Sequence, residues 1–443
     1  MSLIEPRTLK GFRDYPPALM IPRERVLQTA REVYRSFGFA PIDTPALEYS
    51  EVLLGKGGGE NDRLVYRFKD HGDRDVSLRF DLTVPFARFS AQHVPQLGTP
   101  FKRYAMGPVW RGENTSAGRY REFWQCDFDT IGTTANASDI EVALVIHELF
   151  VRLGFDQFTI RINNRLILSG VLAALDLSEK TVPVLRAIDK LAKVGRAGVI
   201  SELGENGIGE DKAGPLLVAM AVEGSNAERL NDVEKRFGDH AMVRDGVGKL
   251  RELLTVCESA GIPGERIGID LSIARGLDYY TGTIYETFLG DLPSIGSVCS
   301  GGRYDNLAGL YTKQVLPGVG ASLGVDRLLA AMEELKHPWL TGQSTAAPVL
   351  VLQMDASLLG TVHRVGAILR AAGIGAEVYP EAKKLGPQFQ YAEKRGHKIA
   401  VIVGPDEAAK GVAKVKHLAT RAESTAAIGE ELVSTIRTLL AGS

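Results

Sequence analysis

The sequence predicts an α+β fold made of several domains, and three observations lead to that class. The chain has 443 residues, which is enough for two to four domains that each bury their own core. Residues 1–160 alternate apparent hairpins with amphipathic helices, as α+β proteins do and doubly wound parallel sheets do not. Apolar residues make up 44% of the chain and charged residues 24%, which is typical of a globular protein.

In the first part of the chain, side-chain periodicity and turn residues predict helices and antiparallel hairpins. Apolar side chains recur at helical spacing from residue 22 onwards, and Gly38 predicts the end of that helix. Two strands joined by a polar turn come next, then a longer hairpin, and then a second helix that ends before Gly154. The predicted elements are a helix at 22–38, strands at 64–68, 74–80, 104–112 and 122–132, and a helix at 139–153.

The middle and the end of the chain have different patterns. Strand signals are missing from residues 168–265, where five stretches have helical periodicity, so we expect a helical insertion that interrupts one core fold. In the last part, strands at 349–352, 376–379 and 399–403 alternate with helices at 363–372 and 388–395, which predicts a small α/β domain. The predicted segments are 1–167 and 266–335 for the core, 168–265 for the insertion, 336–346 for a linker and 347–443 for the last domain.

Composition excludes several classes of protein. The net charge of −2 gives no global attraction to nucleic acid or membranes, so any RNA binding must use local patches. Cys126, Cys257 and Cys299 are far apart, which argues against a disulfide framework and against a cysteine zinc site. Clustered histidines at metal-ligand spacing do not occur, so the sequence predicts no bound transition metal. Neither a signal-peptide pattern nor a run of 18 apolar residues occurs, so we expect a cytoplasmic protein without a membrane span.

Three arginines flank the flexible turn of the longer predicted hairpin. Arg111 precedes the turn, and Arg119 and Arg121 follow it. A guanidinium offers a planar fork of donors that matches a phosphate group. The alternative is an ordinary solvated hairpin, and for the arginines alone the two interpretations are about equally good.

The outgoing strand of that hairpin adds a second observation. Alternation along a strand places every second residue on the same face. One face therefore combines an aromatic ring, an amide and two carboxylates, which favours a binding site over a solvated hairpin. Its members are Phe123, Gln125, Asp127 and Asp129.

An acidic residue interrupts an apolar sequence near residue 80. Asp81 and Thr83 are predicted to share one face of a strand. A buried carboxylate needs a partner, which could be the ammonium group of a ligand or one of the nearby side chains of Arg79 and Arg88. On this local evidence the structural ion pair is the better interpretation.

Two glycine-rich stretches and one arginine in the second part of the core also stand out. Arg275 precedes the adjacent Tyr279 and Tyr280, either as a core arginine stacked on tyrosines or as a cation facing a ligand. The pair Gly301 and Gly302 permits a close approach to a ligand or forms a bulge. The stretch 318–328 has the spacing GxGxxxG, which does not match a dinucleotide-binding loop.

Together these stretches resemble the histidyl-tRNA synthetase family, nearly from end to end. The triplet Asp81-Leu82-Thr83 and the pair of Gln125 and Asp129 resemble the eukaryotic-type branch, whereas many bacterial members have glutamates in place of Asp81 and Asp129. The segments that carry the resemblance are 10–15, 39–48 (motif 1 of class II synthetases), 111–129 (motif 2), 320–327 (motif 3), and 275–280 and 300–304 (the histidine-specific signatures).

The resemblance implies an antiparallel sheet flanked by helices, a helical insertion and a C-terminal anticodon-binding domain. It implies that histidine and ATP form histidyl-adenylate and pyrophosphate, and that histidine then moves to the 3′-terminal adenosine of its tRNA. It also implies a homodimer and Mg²⁺ accompanying ATP, with no zinc, no tightly bound organic cofactor and no metal held by protein side chains alone.

The same resemblance implies a role for individual residues. Arg275 and Arg111 are the expected catalytic residues, which would act on the carboxylate and the α-phosphate from opposite sides. The expected histidine-binding residues are Asp81, Leu82, Thr83, Arg111, Gln125, Asp129, Arg275, Tyr279, Tyr280 and Tyr304. The expected ATP-binding residues are Arg111, Glu113, Arg119, Phe123 and Arg327.

Two non-catalytic alternatives remain. One is a regulatory subunit for a phosphoribosyltransferase of histidine biosynthesis, which usually lacks the anticodon domain and has eroded signatures. The other is a tRNA-sensing module fused to a protein kinase, but the sequence has no kinase motif. Histidine-dependent exchange between ATP and pyrophosphate would distinguish an active enzyme from both.

Overall fold

A computed structural model describes residues 3–55, 64–188, 190–220, 222–273 and 279–441. The chain divides into two structural units. The first contains the chain up to Arg13 together with Val26–Leu335, and the second contains Asp14–Arg25 together with the chain from Lys336 onwards. The predicted catalytic residue Arg275 and residues 276–278 of its signature lie outside the described residues.

The strands of the first unit form two sheets. In chain order they are β1 (Ala40–Pro41), β2 (Leu47–Tyr49), β3 (Arg67–Lys69), β4 (Asp75–Leu78), β5 (Phe101–Trp110), β6 (Glu122–Ile131), β7 (Phe158–Asn164), β8 (Ile267–Ile269), β9 (Thr283–Leu289), β10 (Cys299–Tyr304) and β11 (Gly318–Gly324). The large sheet has eight strands in the order β1-β5-β6-β11-β10-β9-β7-β8, and β2-β4-β3 form a small antiparallel sheet. Only the two outer pairings of the large sheet, β1 with β5 and β7 with β8, are parallel. The antiparallel sheet expected from the sequence is therefore confirmed.

The first unit also contains helices. They are α1 (Pro17–Ser36), α2 (Ser50–Leu54), α3 (Thr83–Leu97), α4 (Asn136–Arg152), α5 (Arg165–Ala174), α6 (Thr181–Ile188), α7 (Leu191–Glu205), α8 (Glu210–Met220), α9 (Asn226–Phe237), α10 (Ala241–Ser259) and α11 (Val325–Glu334). Of these helices, α1 belongs to this unit only from Val26 onwards. The sequence did not predict α7, because its three glycines weaken the helical pattern and the backbone kinks at Gly195. Within the described ranges, no helix is long and apolar enough to cross a membrane.

The turn before α3 corrects one prediction. Thr83 is the first residue of α3, so Asp81 and Thr83 do not share a strand face. The carboxylate of Asp81 instead accepts a hydrogen bond from the backbone N–H of Val84 at 3.0 Å. This hydrogen bond lies in the turn that leads into α3, beyond the end of β4 at Leu78.

Glycines allow the central strands to approach each other closely. A Cβ atom on Gly301 would lie 2.1 Å from the carbonyl oxygen of Gly320, and one on Gly320 would lie 2.3 Å from Oδ1 of Asp129. The pair Gly301 and Gly302 continues the regular pairing of β10 with β11, so it is not a bulge.

The second unit has a five-stranded sheet with helices. Its elements are β12 (Val349–Leu352), α12 (Leu359–Ala371), β13 (Ala376–Val378), α13 (Leu385–Arg395), β14 (Ile399–Ile402), α14 (Pro405–Lys410), β15 (Val412–His417), β16 (Glu423–Ala427) and α15 (Glu430–Ala441). The order is β13-β12-β14-β15-β16, with β12 parallel to both of its neighbours. The predicted α/β domain is confirmed, and the structure adds the last two strands and two helices.

Candidate active site

Two adjoining cavities open on the large sheet of the first unit. The larger has a volume of about 770 Å³ and the smaller about 130 Å³. Arg111, Arg119, Gln125 and Arg327 line both of them. The motifs predicted around the hairpin and at the start of α11 therefore meet at one site, although they are about two hundred residues apart in sequence.

The acidic end of the site contains a buried and incompletely paired carboxylate. Asp81 is 1% exposed and lines the larger cavity. One of its oxygens binds Val84, and the other has no hydrogen-bond partner among the described residues. The two arginines that could have paired with it are engaged elsewhere: Arg88 lies 2.6 Å from Glu48, and Nε of Arg79 donates to the carbonyl oxygen of Pro108 at 3.0 Å. The structural ion pair considered from the sequence is therefore wrong.

Asp129 is buried next to the larger cavity and takes part in a network. Its Oδ1 accepts a hydrogen bond from the hydroxyl of Tyr304 at 2.6 Å, and its Oδ2 lies 2.7 Å from Nη2 of Arg103. The same Nη2 is 3.9 Å from Oδ2 of Asp127. Neither Asp129 nor Tyr304 is among the described residues that line the cavity, whereas Tyr280 is.

Burial raises the pKa of three carboxyl groups at this end of the site. Burial raises the pKa of Asp81 from 3.8 to about 6, and repulsion from Asp129 adds to the rise, while Val84 and two arginines oppose it. Burial likewise raises the pKa of Asp127 to about 7 against the effect of Arg103. Burial also raises the pKa of Asp129, which Arg103 opposes. Such a cluster favours a cationic ligand, because a positive charge would restore the ionised state.

Tyrosine side chains surround this end of the site. The rings of Tyr279 and Tyr280 meet edge to face with centroids 5.2 Å apart, and those of Tyr279 and Tyr304 are 5.9 Å apart. Burial raises the pKa of all three hydroxyl groups, so they stay neutral and can both donate and accept hydrogen bonds. Leu82 contributes differently, because its side chain packs in a small apolar cluster with Ala105.

The other end of the site is basic and aromatic. Nε of Arg111 donates to the carbonyl oxygen of Phe80 at 2.8 Å, and its guanidinium lies 5.2 Å from the centre of the Phe123 ring. Nη1 of Arg327 donates to the carbonyl oxygen of Ser297 at 2.6 Å. Burial lowers the pKa of Arg327, and the neighbouring positive charge of Arg119 lowers it further. Arg111 and Arg327 both line the smaller cavity, and guanidinium groups that share a partly buried cavity can bind an anion.

Glu113 and Arg119 form an ion pair at the edge of the smaller cavity. Arg119 is about half exposed, whereas Glu113 is mostly buried. All five residues predicted to bind ATP line the smaller cavity.

The sequence missed the most buried charge near the site, Arg103. The predicted strand began at residue 104, three residues after the observed start at Phe101, so Arg103 was left outside it. The signal available in the sequence was the strand pattern of residues 101–110. In the structure these residues form β5, in which Arg103 lies opposite Asp129 on β6. Asp127 was expected from the sequence on the same strand face as Asp129, but no role was predicted for it.

Comparisons with known proteins identify the family of this chain. A family model described as histidyl-tRNA synthetase matches residues 11–328, and one described as an anticodon binding domain matches residues 347–439. A histidine–tRNA ligase of Rhodopirellula baltica is 54% identical over 430 residues, covering 97% of each chain. One from Wolinella succinogenes is 48% identical over 420 residues, covering 94% of this chain and 95% of the relative.

Solved structures show the same architecture. The crystal structure of a histidyl-tRNA synthetase from a Nostoc species is 35% identical, covers 98% of this chain and all of its own, and has a TM-score of 0.89. The fold and the site thus define a class II aminoacyl-tRNA synthetase. Within that class, the chain belongs to the histidyl-tRNA synthetase family.

Proposed function

We propose that this protein is a histidine–tRNA ligase, which activates histidine with ATP and transfers it to the 3′-terminal adenosine of its tRNA. One observation carries the proposal: a single pair of adjoining cavities joins a buried acidic end to a basic, aromatic end. An amino acid offers an ammonium group to the first and a carboxylate to the second, next to the phosphates of ATP. The family membership supports the same reaction.

The acidic end is suited to histidine. Asp81, Thr83 and Gln125 line the larger cavity and would bind the α-ammonium group. The unpaired oxygen of Asp81 supports this role, because a buried carboxylate is stabilised by an opposite charge. Oε1 of Gln125 is also buried without a hydrogen-bond partner among the described residues. Both atoms are acceptors, as an ammonium donor requires.

The imidazole ring would lie against the tyrosines. Tyr280 lines the cavity next to Tyr279. We propose that Asp129 and Tyr304, which are buried next to the cavity, complete the site for the ring. A pocket that binds both ring nitrogens leaves polar groups unpaired when another amino acid enters, which gives selectivity without editing. Leu82 would contribute through its backbone, since its carbonyl oxygen accepts a hydrogen bond from Arg103.

The basic end is suited to the reacting phosphate. Arg111 would bind the carboxylate and the α-phosphate, and Arg119 the outer phosphates. Phe123 and Arg327 would hold the adenine ring between them, with Glu113 near its amino edge. Charge gathers on the phosphoryl oxygens in the transition state of adenylation, and fixed cations lower the energy of that state.

Mg²⁺ would enter this site together with the nucleotide. Among the described residues, no three acidic, histidine or cysteine side chains are grouped to hold a metal ion. Mg²⁺ usually keeps several water ligands and is bound by substrate phosphates together with one or two carboxylates. Arg275 would act opposite Arg111, and this role rests on the resemblance alone.

The remaining parts of the proposal concern the whole protein. The match of residues 347–439 to an anticodon binding domain supports a contact between this part and the tRNA. We propose that the helical stretch 168–265 is an insertion domain, and that the enzyme is a cytoplasmic homodimer that pairs through the segment 39–48. Asp81 and Asp129 give it a eukaryotic-type histidine site, although the relatives above are bacterial.

Exchange of labelled pyrophosphate into ATP, measured with each of the twenty amino acids, tests the reaction. We expect exchange with histidine only, and inhibition by histidinol, which keeps the ammonium and the ring but lacks the carboxylate. Exchange that is independent of histidine would contradict the proposal.

A second candidate is a regulatory subunit. A structure titled as an ATP phosphoribosyltransferase regulatory subunit/histidyl-tRNA synthetase, from Bacillus halodurans, shares the fold at 20% identity with a TM-score of 0.74. Histidine binding without any exchange would favour that candidate.

A further inference from the structure

A buried guanidinium connects the two elements that present the acidic side chains. Arg103, on β5, is 0% exposed and lies opposite Asp129 in the register of β5 and β6. Its Nη2 lies 2.7 Å from Asp129, 3.9 Å from Asp127 and 3.2 Å from the carbonyl oxygen of Leu82, to which it donates a hydrogen bond. One side chain therefore contacts both the strand that carries Asp129 and the turn that carries Asp81.

Packing leaves this guanidinium little freedom. Its central carbon lies 4.3 Å from the centre of the Phe86 ring, on α3, the helix that begins at Thr83. A guanidinium over an aromatic face gains a cation–π interaction, and this one is out of contact with water. A charge buried to this extent is retained only with compensating partners, and here those partners are the carboxylates of the proposed histidine site.

We propose that Arg103 is a positioning residue for histidine: it fixes Asp129 and the turn at Leu82 so that the acidic side chains meet the amino acid in one geometry. The inference deepens the proposed function and rests on it. Arg103 does not line either cavity, so it acts through its neighbours. It has no described contact with Arg111 or Arg327, so its loss is expected to affect histidine and not ATP.

Removal of Arg103 also changes the charge of the site. The positive charge of Arg103 lowers the pKa of Asp129 and opposes the effect of burial. Without it, Asp129 takes up a proton at higher pH, and histidine binding should fail at a pH where the wild-type protein still binds. The titratable groups that face Asp129 are Arg103, Asp127, Asp81, Tyr304, Tyr280 and Tyr34.

The test compares Arg103→Met with a matched control on the neighbouring residue. Lys102 is on the same strand, and its ammonium lies 2.6 Å from Glu141, away from the cavity. Lys102→Met thus removes one cation and one ion pair without touching the site. Calorimetry measures the Kd for histidine, and pyrophosphate exchange gives separate KM values for histidine and ATP.

For Arg103→Met we expect Kd and KM for histidine to rise on the order of 30-fold, because losses of this size follow the removal of one partner of a buried charge pair. We expect KM for ATP to stay within about twofold, and the acid limb of kcat/KM for histidine to move to higher pH. Lys102→Met should change none of these. If Arg103→Met does not fold, Arg103→Lys decides, because the compact, strongly hydrated ammonium of lysine lacks the planar group that packs over Phe86 and should weaken histidine binding about fivefold.

Equal effects on histidine and ATP, or a histidine Kd equal to that of Lys102→Met, overturn the role of Arg103. Histidine binding and exchange measured on the wild-type protein distinguish this outcome from failure of the proposed reaction. If it binds histidine but catalyses no exchange, the reaction is wrong and calorimetry still decides about Arg103. If it does not bind histidine, both proposals fail.

Discussion

Replacing Asp81 with asparagine should make the protein more stable and less able to bind histidine. Asparagine has nearly the same shape and keeps an oxygen that can accept the hydrogen bond from Val84. The substitution therefore removes the charge and little else. A purely structural role for Asp81 predicts the opposite change in stability.

The size of the effect follows from the pKa of Asp81, which burial raises from 3.8 to about 6. A raised pKa means that the folded state disfavours the ionised form. The resulting destabilisation is complete above pH 6, decreases as the pH falls from about 6 to about 4, and vanishes below that range. Two pH units correspond to about 3 kcal/mol, so at pH 8 the free energy of unfolding of Asp81→Asn should exceed that of the wild type by about 1–3 kcal/mol.

Urea unfolding at pH 8 and near pH 4, together with calorimetric binding of histidine, provides the assay. We expect a gain in stability at pH 8 only, and a loss of histidine affinity on the order of 100-fold because one partner of a buried charge pair is gone. Asp139→Asn is the matched control: this carboxylate is also buried, but both of its oxygens bind Nε of Arg303, at 3.1 and 3.0 Å. It should destabilise the protein and leave histidine selection unchanged. Destabilisation by Asp81→Asn at pH 8, or unchanged histidine binding, would refute the reasoning.

Three further substitutions test other parts of the site. Arg275→Ala should keep ATP binding but lose about 100-fold or more in pyrophosphate exchange, because two unit charges about 5 Å apart interact by roughly 3 kcal/mol; near-wild-type exchange would remove Arg275 from its role. Asp129→Ala should raise KM for histidine far more than KM for ATP, and equal changes in steady-state kinetics would contradict its place in the ring site. Gly320→Ala should lower Tm and histidine affinity together, since its Cβ would lie 2.3 Å from Asp129 Oδ1. A Tm equal to that of the wild type would contradict this, because it would mean that β6 and β11 can move apart to accept the methyl group.

The sequence predicted the architecture well where periodicity was strong. The hairpin of β5 and β6 was predicted within three residues at each end, because its strands are long and have a polar turn between them. The kinked helix α7 and the last strands of the second unit were not predicted, because glycines or short polar segments hide their pattern.

The site could be predicted only in part, for two physical reasons. The residue types and their approximate positions came from motifs and from the family resemblance, and the ATP-binding set lies together as expected. Pairing between side chains did not follow from the sequence. Asp81 lies in the turn before a helix where a strand was expected, and Arg103 pairs with Asp129 through a register that depends on tertiary contacts.

A crystal structure with histidine and a non-hydrolysable ATP analogue is the most direct test that the acidic and basic ends form one active site. We expect the α-ammonium of histidine within hydrogen-bond distance of the free oxygen of Asp81, and the α-phosphate near Arg111. Binding of either molecule outside the two cavities, or histidine in the reverse orientation, would contradict the proposed site.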